Sequence, residues 1–243
     1  MNFNTLLHKN ELCRCQSSYG TDKNFIHSYL SEFYEPLFQL IEPPRKLLEI
    51  GIARGASLIF WQKALPNTSL FAIDNNSPAS MHPDFKTLLE DDRIKVLFGD
   101  AYQGNLIPSN SYDVIIDDGP HTLSSQIEAL SFIDMLTPNG ILIIEDVPDI
   151  AKRYSTLKSM IPSKDMCHLR AISFSHLSGR FDDSLIVFSR NAKIAKWLER
   201  EFSGKKHSYA ENQFLCFFVM KSLVIFRILK KISGRTRKND HSY

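Results

Sequence analysis

Short apolar runs alternate along the chain with longer stretches in which apolar and polar residues are mixed. Each run ends in a turn or an acidic residue, which is typical of strands buried on both faces. Amphipathic stretches between the runs, at about 56–64, 122–136 and 149–160, predict helices. This alternation predicts an α/β fold, a doubly wound and mostly parallel sheet with helices on both faces. The predicted strands lie at 46–50, 69–74, 93–100, 112–118, 139–146 and 184–190.

The pattern predicts a single main domain with an extension at each end, since the chain has no internal repeat and no Pro/Ser-rich linker. Residues 24–40 predict one or two helices, kinked near Pro36 because proline cannot continue a helical ladder. We therefore divide the chain into a helical extension (1–40), the main domain (41–205) and a basic, apolar extension (206–243).

The composition is that of an ordinary globular protein, with 43% hydrophobic and 23% charged residues among 243. The net charge of +2 conceals an asymmetry: residues 1–150 hold 10 basic and 20 acidic residues, and residues 151–243 hold 19 and 7. This predicts an acidic site in the first part and a surface for an anionic partner in the second. Four scattered cysteines are too few for a disulfide scaffold, so Cys13 and Cys15 are expected to be reduced thiols. The N-terminus shows no secretory signal pattern, and a cytoplasmic location is expected.

A glycine-containing turn follows the first predicted strand. Glu49, Gly51, Gly55 and Ser57 form the pattern E-x-G-x-x-x-G-x-S between a strand and a helix. Glycine allows a tight turn and a close approach of a ligand to the backbone. The spacing differs from the G-x-G-x-x-G that a dinucleotide pyrophosphate requires. It is the pattern of S-adenosylmethionine sites, in which Glu49 would lie near the amino-acid end of the ligand and the glycines beside its ribose.

The next two strands also end in acidic residues. Asp74 is placed to accept hydrogen bonds from the two ribose hydroxyls, and Asp100 lies near the expected adenine. Taken singly, such loops are also consistent with ordinary strand-end turns; three in register along one sheet edge favour a cofactor site.

Two further strands end in paired acids, and a histidine follows the first pair. These residues are Asp117, Asp118 and His121, and then Glu145 and Asp146. Since ligands bind at the carboxyl ends of such strands, the four carboxylates are expected to meet beside the cofactor, with Asp117 on the cofactor side. Unpaired carboxylates in a cleft are costly unless a cation neutralises them, and oxygen ligands suit Mg²⁺ or Mn²⁺. His121 is the predicted general base. The alternative is that these acids only cap helices and form turns.

Four motifs together give the chain a family resemblance. YGTDK at 19–23, LEIGIARGAS at 48–57, IDDGPH at 116–121 and IEDV at 144–147 resemble the macrocin and mycinamicin O-methyltransferases and their bacterial sugar-modifying relatives, over about residues 18–190. The resemblance implies a seven-stranded class I methyltransferase sheet, S-adenosylmethionine as donor, Mg²⁺ held by Asp118, Glu145 and Asp146, and His121 as base. The chain has Pro120 where the family more often has serine. Within YGTDK, the side chains of Tyr19 and Lys23 either line the methionine end of the cofactor or belong to an ordinary loop.

The predicted function is therefore a metal-dependent O-methyltransferase acting on a sugar hydroxyl of a glycan or a glycosylated metabolite. A nucleic-acid methyltransferase is the first alternative, but the motifs for base methylation and for RNA reading are missing, so no nucleic-acid partner is expected. A non-catalytic S-adenosylmethionine-binding scaffold is the second. A nicotinamide dehydrogenase fits the glycine spacing least well.

The C-terminal stretch 214–238 is apolar, but Lys221 and Arg227 interrupt it before it reaches bilayer-spanning length. Two alternatives stay open. It either contacts an anionic membrane peripherally, at the inner face, or completes the core or a homo-oligomer interface.

Overall fold

The computed structural model describes residues 2–75, 81–103, 106–108 and 111–203. A seven-stranded sheet forms their centre, in the order β3-β2-β1-β4-β5-β7-β6. The first five strands pair in parallel, and β7 runs antiparallel to both β5 and β6. This confirms the predicted α/β class and the mostly parallel sheet. The strands are β1 (Lys46–Ile50), β2 (Ser69–Asp74), β3 (Ile94–Phe98), β4 (Tyr112–Asp117), β5 (Leu136–Ile144), β6 (Leu169–Ser173) and β7 (Ser184–Ser189).

Apolar side chains cover the sheet on both faces, as the continuous apolar runs predict. Successive residues of a strand point to opposite faces, and Leu47 and Leu48 of β1 accordingly belong to two separate hydrophobic clusters. The helices are α1 (Phe3–Lys9), α2 (Glu35–Leu40), α3 (Ala56–Ala64), α4 (Phe85–Leu88), α5 (Leu123–Glu128), α6 (Ile150–Met160), α7 (Ser175–Ser178) and α8 (Ala192–Phe202). Helices α1, α2, α3 and α8 supply one cluster, and α6 supplies the other.

Several elements differ from the sequence-based prediction. The helix expected at 122–136 is α5 followed by a 3₁₀ segment, Ala129–Met135, which leads directly into β5. Strand β6 was not predicted, because its three apolar residues are interrupted by Arg170 and it lies at the edge of the described sheet. Helix α8 was also missed, and α1 was predicted only as part of the helical extension 1–40. In both helices buried apolar residues are interspersed with polar ones, Phe3 and Leu7 in the first and Ile194 and Leu198 in the second.

The N-terminal residues pack into the same hydrophobic cluster as the sheet. Phe3, Leu30 and Phe33 are each at most 5% exposed, and they belong to that cluster together with Leu47 of β1. A π-helical turn, Leu30–Tyr34, leads into α2, so the type of helix changes next to Pro36, where the sequence predicts a break or kink. Cys13 and Cys15 are joined by a disulfide, so the expectation of two reduced thiols is wrong for this structure.

Within the described ranges, no helix combines the length and apolarity that crossing a bilayer requires. The segment 214–238, and with it the choice between a membrane contact and a core or oligomer role, lies outside the described residues.

Candidate active site

A cavity of about 550 Å³ opens at the carboxyl ends of the parallel strands. It lies where ligands bind in doubly wound sheets, and its size suits a small-molecule ligand. Among the predicted site residues, those that line it are Gly51, Asp74, Asp100, Asp118, His121 and Asp146. Glu49, Gly55, Ser57, Asp117 and Glu145 do not contribute to this lining.

The turn after β1 is fixed by Asp74, at the end of β2. One carboxylate oxygen, Oδ2, accepts hydrogen bonds from the backbone amides of Ile52 (2.7 Å) and Ala53 (2.8 Å). Gly51 has a φ of +79°, and a Cβ there would lie 2.0 Å from the carbonyl oxygen of Asp118. Only glycine fits a position with this backbone conformation and this close approach. The predicted glycine turn is therefore in contact with the acidic loop after β4.

Asp118, His121 and Asp146 form a cluster at one end of the cavity. One potential ligand atom from each lies within 4.8 Å of the others. The Nε2 atom of His121 is 3.7 Å from Oδ1 of Asp118 and 3.7 Å from Oδ2 of Asp146. We call Asp118 and Asp146 the pocket carboxylates. They come from the loops after β4 and β5, which pair in the sheet, as the sequence predicts.

Two of these three residues hold a strained backbone conformation. His121 has a φ of 55° and Asp146 a φ of 51°, in the left-handed region that residues with a Cβ rarely adopt. Such conformations persist where the surroundings impose them, often at functional sites. Here they turn both side chains toward the same point.

Glu49, Asp117 and Glu145 are at most 3% exposed, and we call them the inner carboxylates. Glu49 accepts hydrogen bonds from the hydroxyl of Ser57 (3.1 Å) and from the indole of Trp61 (3.2 Å). The phenol of Tyr34 donates to Glu145. Glu49 and Ser57, both predicted to bind cofactor, therefore bind each other beneath the turn.

Lys23 supplies the positive charge among these acids. Its side chain is 2% exposed, and Nζ lies 2.7 Å from Oδ2 of Asp118, beside Oε2 of Glu145 and 3.7 Å from Oε1 of Glu49. Burial lowers the pKa of Lys23, but the three carboxylates outweigh that effect and raise the pKa well above its ordinary value. Of the two roles left open for Lys23, the structure supports neither, because this side chain is an interior cation. Tyr19 stays near the surface, with the guanidinium of Arg54 5.0 Å from its ring centre.

The third inner carboxylate, Asp117, has a different partner. The phenol of Tyr102 donates a hydrogen bond to Oδ1 of Asp117, and Tyr102 itself lines the cavity. Asp100 accepts a hydrogen bond from the backbone amide of Tyr102 at 2.9 Å. Tyr102 was not predicted as a site residue, since an isolated tyrosine in a loop carries no sequence signal.

Burial and mutual repulsion raise the pKa of most of these acids. Burial raises the pKa of Glu49 to about 7 and that of Asp117 to about 7. Burial, followed by the charge of Asp118, raises the pKa of Asp146 to about 6. Burial also raises the pKa of Glu145 well above its usual value, with Lys23 opposing the shift. The pocket end of the site is therefore an acidic environment in which a bound cation would relieve repulsion.

The structure thus brings together only two of the three predicted metal ligands. Asp118 and Asp146 meet beside His121, whereas both oxygens of Glu145 contact other groups, Lys23 and Tyr34. The role of Glu145 as a metal ligand stays a prediction. Sequence analysis also missed Tyr29, whose phenol donates to Asp146.

Comparison with known proteins gives similar sequences and similar solved structures. No family model matches the chain. The 8-demethyl-8-(2-methoxy-α-L-rhamnosyl)-tetracenomycin-C 3'-O-methyltransferase of Streptomyces olivaceus is 27% identical over 151 residues, which are 56% of this chain and 37% of that protein. The chain therefore spans little more than a third of the length of this curated relative.

Two of the similar solved structures are methyltransferases of low sequence identity. The S-adenosylhomocysteine-bound methyltransferase PaMTH1 of Podospora anserina has a TM-score of 0.49 at 16% identity, covering 77% of this chain and 87% of that one. The O-methyltransferase TomG of Streptomyces achromogenes, in complex with S-adenosylmethionine, has a TM-score of 0.44 at 16% identity, covering 63% and 76%. These likenesses concern the fold alone.

The sheet has seven strands and is mostly parallel, as the predicted resemblance implies. The sequence relative is a sugar O-methyltransferase. The resemblance is therefore confirmed: the chain has the fold of class I S-adenosylmethionine-dependent methyltransferases and is similar in sequence to an O-methyltransferase that acts on a sugar.

Proposed function

We propose that the chain is a metal-dependent O-methyltransferase that moves the methyl group of S-adenosylmethionine to a sugar hydroxyl of a glycan or a glycosylated metabolite. The observation that carries the proposal is the cluster of Asp118, His121 and Asp146, in the same cavity as the Gly51 turn and Asp74. Donor-binding features and acid–base groups thus share one pocket.

The part of the cavity beside β1 and β2 fits the cofactor. Gly51 brings the backbone close to the cavity, and Asp74 and Asp100 line it at the ends of neighbouring strands. Asp74 would accept from the ribose hydroxyls and Asp100 would lie near the adenine. When bound, S-adenosylmethionine supplies an electrophilic methyl group on its sulfonium.

The cluster fits a divalent cation of the magnesium type. Carboxylate oxygens of Asp118 and Asp146 face one region, and burial together with mutual repulsion raises the pKa of Asp146 to about 6. Oxygen donors with space for waters suit Mg²⁺ or Mn²⁺. Such an ion would orient a substrate hydroxyl and ease its deprotonation. Glu145 is a further predicted ligand, and its contacts with Lys23 and Tyr34 set it apart in this arrangement.

His121 is the proposed general base. Its side chain is 35% exposed toward the cavity, with Nε2 between the two pocket carboxylates. In the transfer, a bond forms between the substrate oxygen and the methyl carbon while the carbon–sulfur bond breaks. The hydroxyl proton passes to Nε2 of His121, where the carboxylates stabilise the resulting imidazolium. Holding the reactants in line supplies part of the rate enhancement.

The sugar acceptor is proposed from the sequence relative, which is named as a 3'-O-methyltransferase of a rhamnosyl tetracenomycin. Because acceptor choice depends on loops that differ between proteins with one fold, the identity of the sugar is a separate question from the chemistry. A cytoplasmic location and a small-molecule or glycan partner remain part of this proposal.

The test is methyl transfer from labelled S-adenosylmethionine to a panel of deoxysugar glycosides, followed by mass spectrometry. We expect turnover with at least one glycoside, abolished by excess chelator and restored by Mg²⁺ or Mn²⁺. Cofactor binding measured by calorimetry should survive chelation. Full turnover in chelator would contradict the metal requirement. Cofactor binding without turnover on any acceptor would instead indicate a non-catalytic scaffold.

A further inference from the structure

The segment from Lys23 to Tyr34 precedes the sheet in sequence, yet it contacts the acids at the strand ends. We call it the anchor segment. Three of its polar residues are at most 1% exposed: Lys23, Tyr29 and Tyr34. Each donates a hydrogen bond to a carboxylate that lies more than 90 positions further along the chain. Buried charged and polar groups of this kind are costly without partners, so these contacts determine how the segment packs.

The two carboxylate oxygens of Asp118 have different neighbours, Lys23 and His121. Its ammonium binds Oδ2 of that carboxylate at 2.7 Å, on the interior side. The other oxygen, Oδ1, is the one that lies 3.7 Å from Nε2 of His121. The carboxylate plane is therefore fixed, with one oxygen held inside and the other directed to the cavity cluster.

The two carboxylate oxygens of Asp146 likewise have different neighbours, Tyr29 and His121. Its phenol donates to Oδ1 of Asp146 at 2.8 Å, and Oδ2 lies 3.7 Å from Nε2 of His121. The same phenol oxygen accepts hydrogen bonds from the backbone amides of Asp146 (3.2 Å) and Ser184 (3.1 Å). The tyrosine thus holds both the side chain and the left-handed backbone of Asp146. The ring of His27 stacks on that of Tyr29, with centroids 5.0 Å apart.

We propose that Lys23 and Tyr29 are positioning residues, each of which holds one oxygen of a pocket carboxylate so that the opposite oxygens face a common cation. This inference rests on the cation site of the proposed function. Residues that orient metal ligands in this way affect metal affinity by about 10- to 100-fold. On this view residues 23–34 belong to the active site, although they lie outside the sheet that forms its floor.

Tyr34 provides an internal comparison. It is as deeply buried as Tyr29, and its phenol also donates to a carboxylate, but that carboxylate is Glu145, whose oxygens both contact interior groups. Loss of the Tyr34 hydroxyl removes its hydrogen bond to Glu145, whereas loss of the Tyr29 hydroxyl removes the bond to Asp146 and the two bonds that it accepts from backbone amides. Only the loss at Tyr29 frees an oxygen of a residue in the cluster with His121.

The test compares the variants Tyr29→Phe and Tyr34→Phe in the full chain. Mn²⁺ affinity is measured by electron paramagnetic resonance, S-adenosylmethionine affinity by calorimetry, and turnover as a function of Mn²⁺ concentration. We expect Tyr29→Phe to weaken Mn²⁺ binding at least tenfold, with turnover largely recovered at saturating Mn²⁺. Tyr34→Phe should change Mn²⁺ affinity less than threefold. Cofactor affinity should remain within threefold of wild type in both.

Lys23→Met is the third variant. It is expected to weaken Mn²⁺ binding at least tenfold, but it also leaves Glu49 and Glu145 without a cation and can prevent folding. Should it fail to fold, the tyrosine pair still decides the question. Equal Mn²⁺ affinities in wild type and Tyr29→Phe, or equal losses in the two tyrosine variants, would overturn this inference alone. A wild-type protein that binds S-adenosylmethionine but not Mn²⁺ would overturn the inference together with the cation site of the proposed function.

Discussion

Two of the inner carboxylates, Asp117 and Glu145, come from the same short sequence motifs as the pocket carboxylates but have opposite environments. In the pair after β4, Asp117 is 3% exposed and bound by Tyr102, while the side chain of Asp118 is 21% exposed at the cavity. In the pair after β5, Glu145 is buried against Lys23 and Tyr34, while Asp146 faces His121. Each pair therefore supplies one interior acid and one cavity acid.

This difference shows what a paired acid at a strand end contributes. The first member stays in or next to the strand and needs a donor from the protein itself, since an unpaired buried carboxylate is costly. The second member lies in the turn, where the backbone can direct it into the cavity. Two acids of one motif therefore need not bind the same ligand. Substituting the acids of a pair one at a time tests this difference.

The largest effect is expected at the cluster itself. His121→Ala should lower turnover by about 10²- to 10⁴-fold, the usual contribution of a general base, because Nε2 of His121 lies 3.7 Å from both pocket carboxylates and is placed to take the proton. Rates at saturating Mn²⁺ and cofactor measure it, and Mn²⁺ affinity provides the control. If His121 acts as a base, its replacement leaves the Mn²⁺ affinity within a few-fold of the wild-type value. If turnover and Mn²⁺ affinity fall together, His121 acts as a metal ligand instead.

A smaller effect separates the two members of the second pair. Asp146→Asn should weaken Mn²⁺ binding at least about tenfold, since it neutralises an oxygen that faces the cluster. Glu145→Gln should change Mn²⁺ affinity less than threefold, because both Glu145 oxygens already contact Lys23 and Tyr34. Mn²⁺ titrations of the two variants measure this difference in affinity. A loss in Glu145→Gln equal to that in Asp146→Asn would restore the ligand set predicted from the sequence.

The smallest effect concerns the pH dependence of stability. Burial raises the pKa of Glu49 from 4.5 to about 7, so its contribution to stability is complete below about pH 4.5 and is lost as the pH rises through about 7. In metal-free buffer, the Tm of wild type should fall between pH 5 and 8 by about 5–10 °C more than that of Glu49→Gln. Scanning calorimetry of both, with the exposed-site variant Glu90→Gln as control, measures the difference. Parallel curves for wild type and Glu49→Gln would contradict the assignment.

Much of the fold could be predicted, because strands buried on both faces leave long apolar runs. All six predicted runs overlap a strand of the sheet, and the bounds of β1 and β2 agree at both ends. The elements that were missed carry a weaker pattern. Strand β6 is a five-residue edge strand in which Arg170 interrupts the apolar residues, and α8 mixes buried apolar residues with charged ones.

The site was predicted in part, for a physical reason. Chain order shows which residues follow a strand, so Asp74, Asp118, His121 and Asp146 could be placed at one sheet edge. It does not show whether a side chain turns toward the interior. Glu49 was therefore expected to bind the cofactor, and Glu145 to bind the metal. Nor does it show which distant residue neutralises them. The contact of Lys23 with Glu145 spans 122 positions and depends on how the anchor segment folds over the sheet.

Gly51 links the turn after β1 to the Asp118 loop, so a change in one of these segments displaces the other. The carbonyl oxygen of Asp118 occupies the volume that a side chain at 51 would need, and a Cβ there would lie 2.0 Å from it. The backbone of the Gly51 turn and the backbone of the Asp118 loop are therefore in direct contact. Any residue larger than glycine must push the Asp118 loop away, so under the proposed function a defect in holding the donor and a defect in holding the cation would arise from the same displacement. Because the contact is between backbone atoms, no exchange of a neighbouring side chain can separate the two.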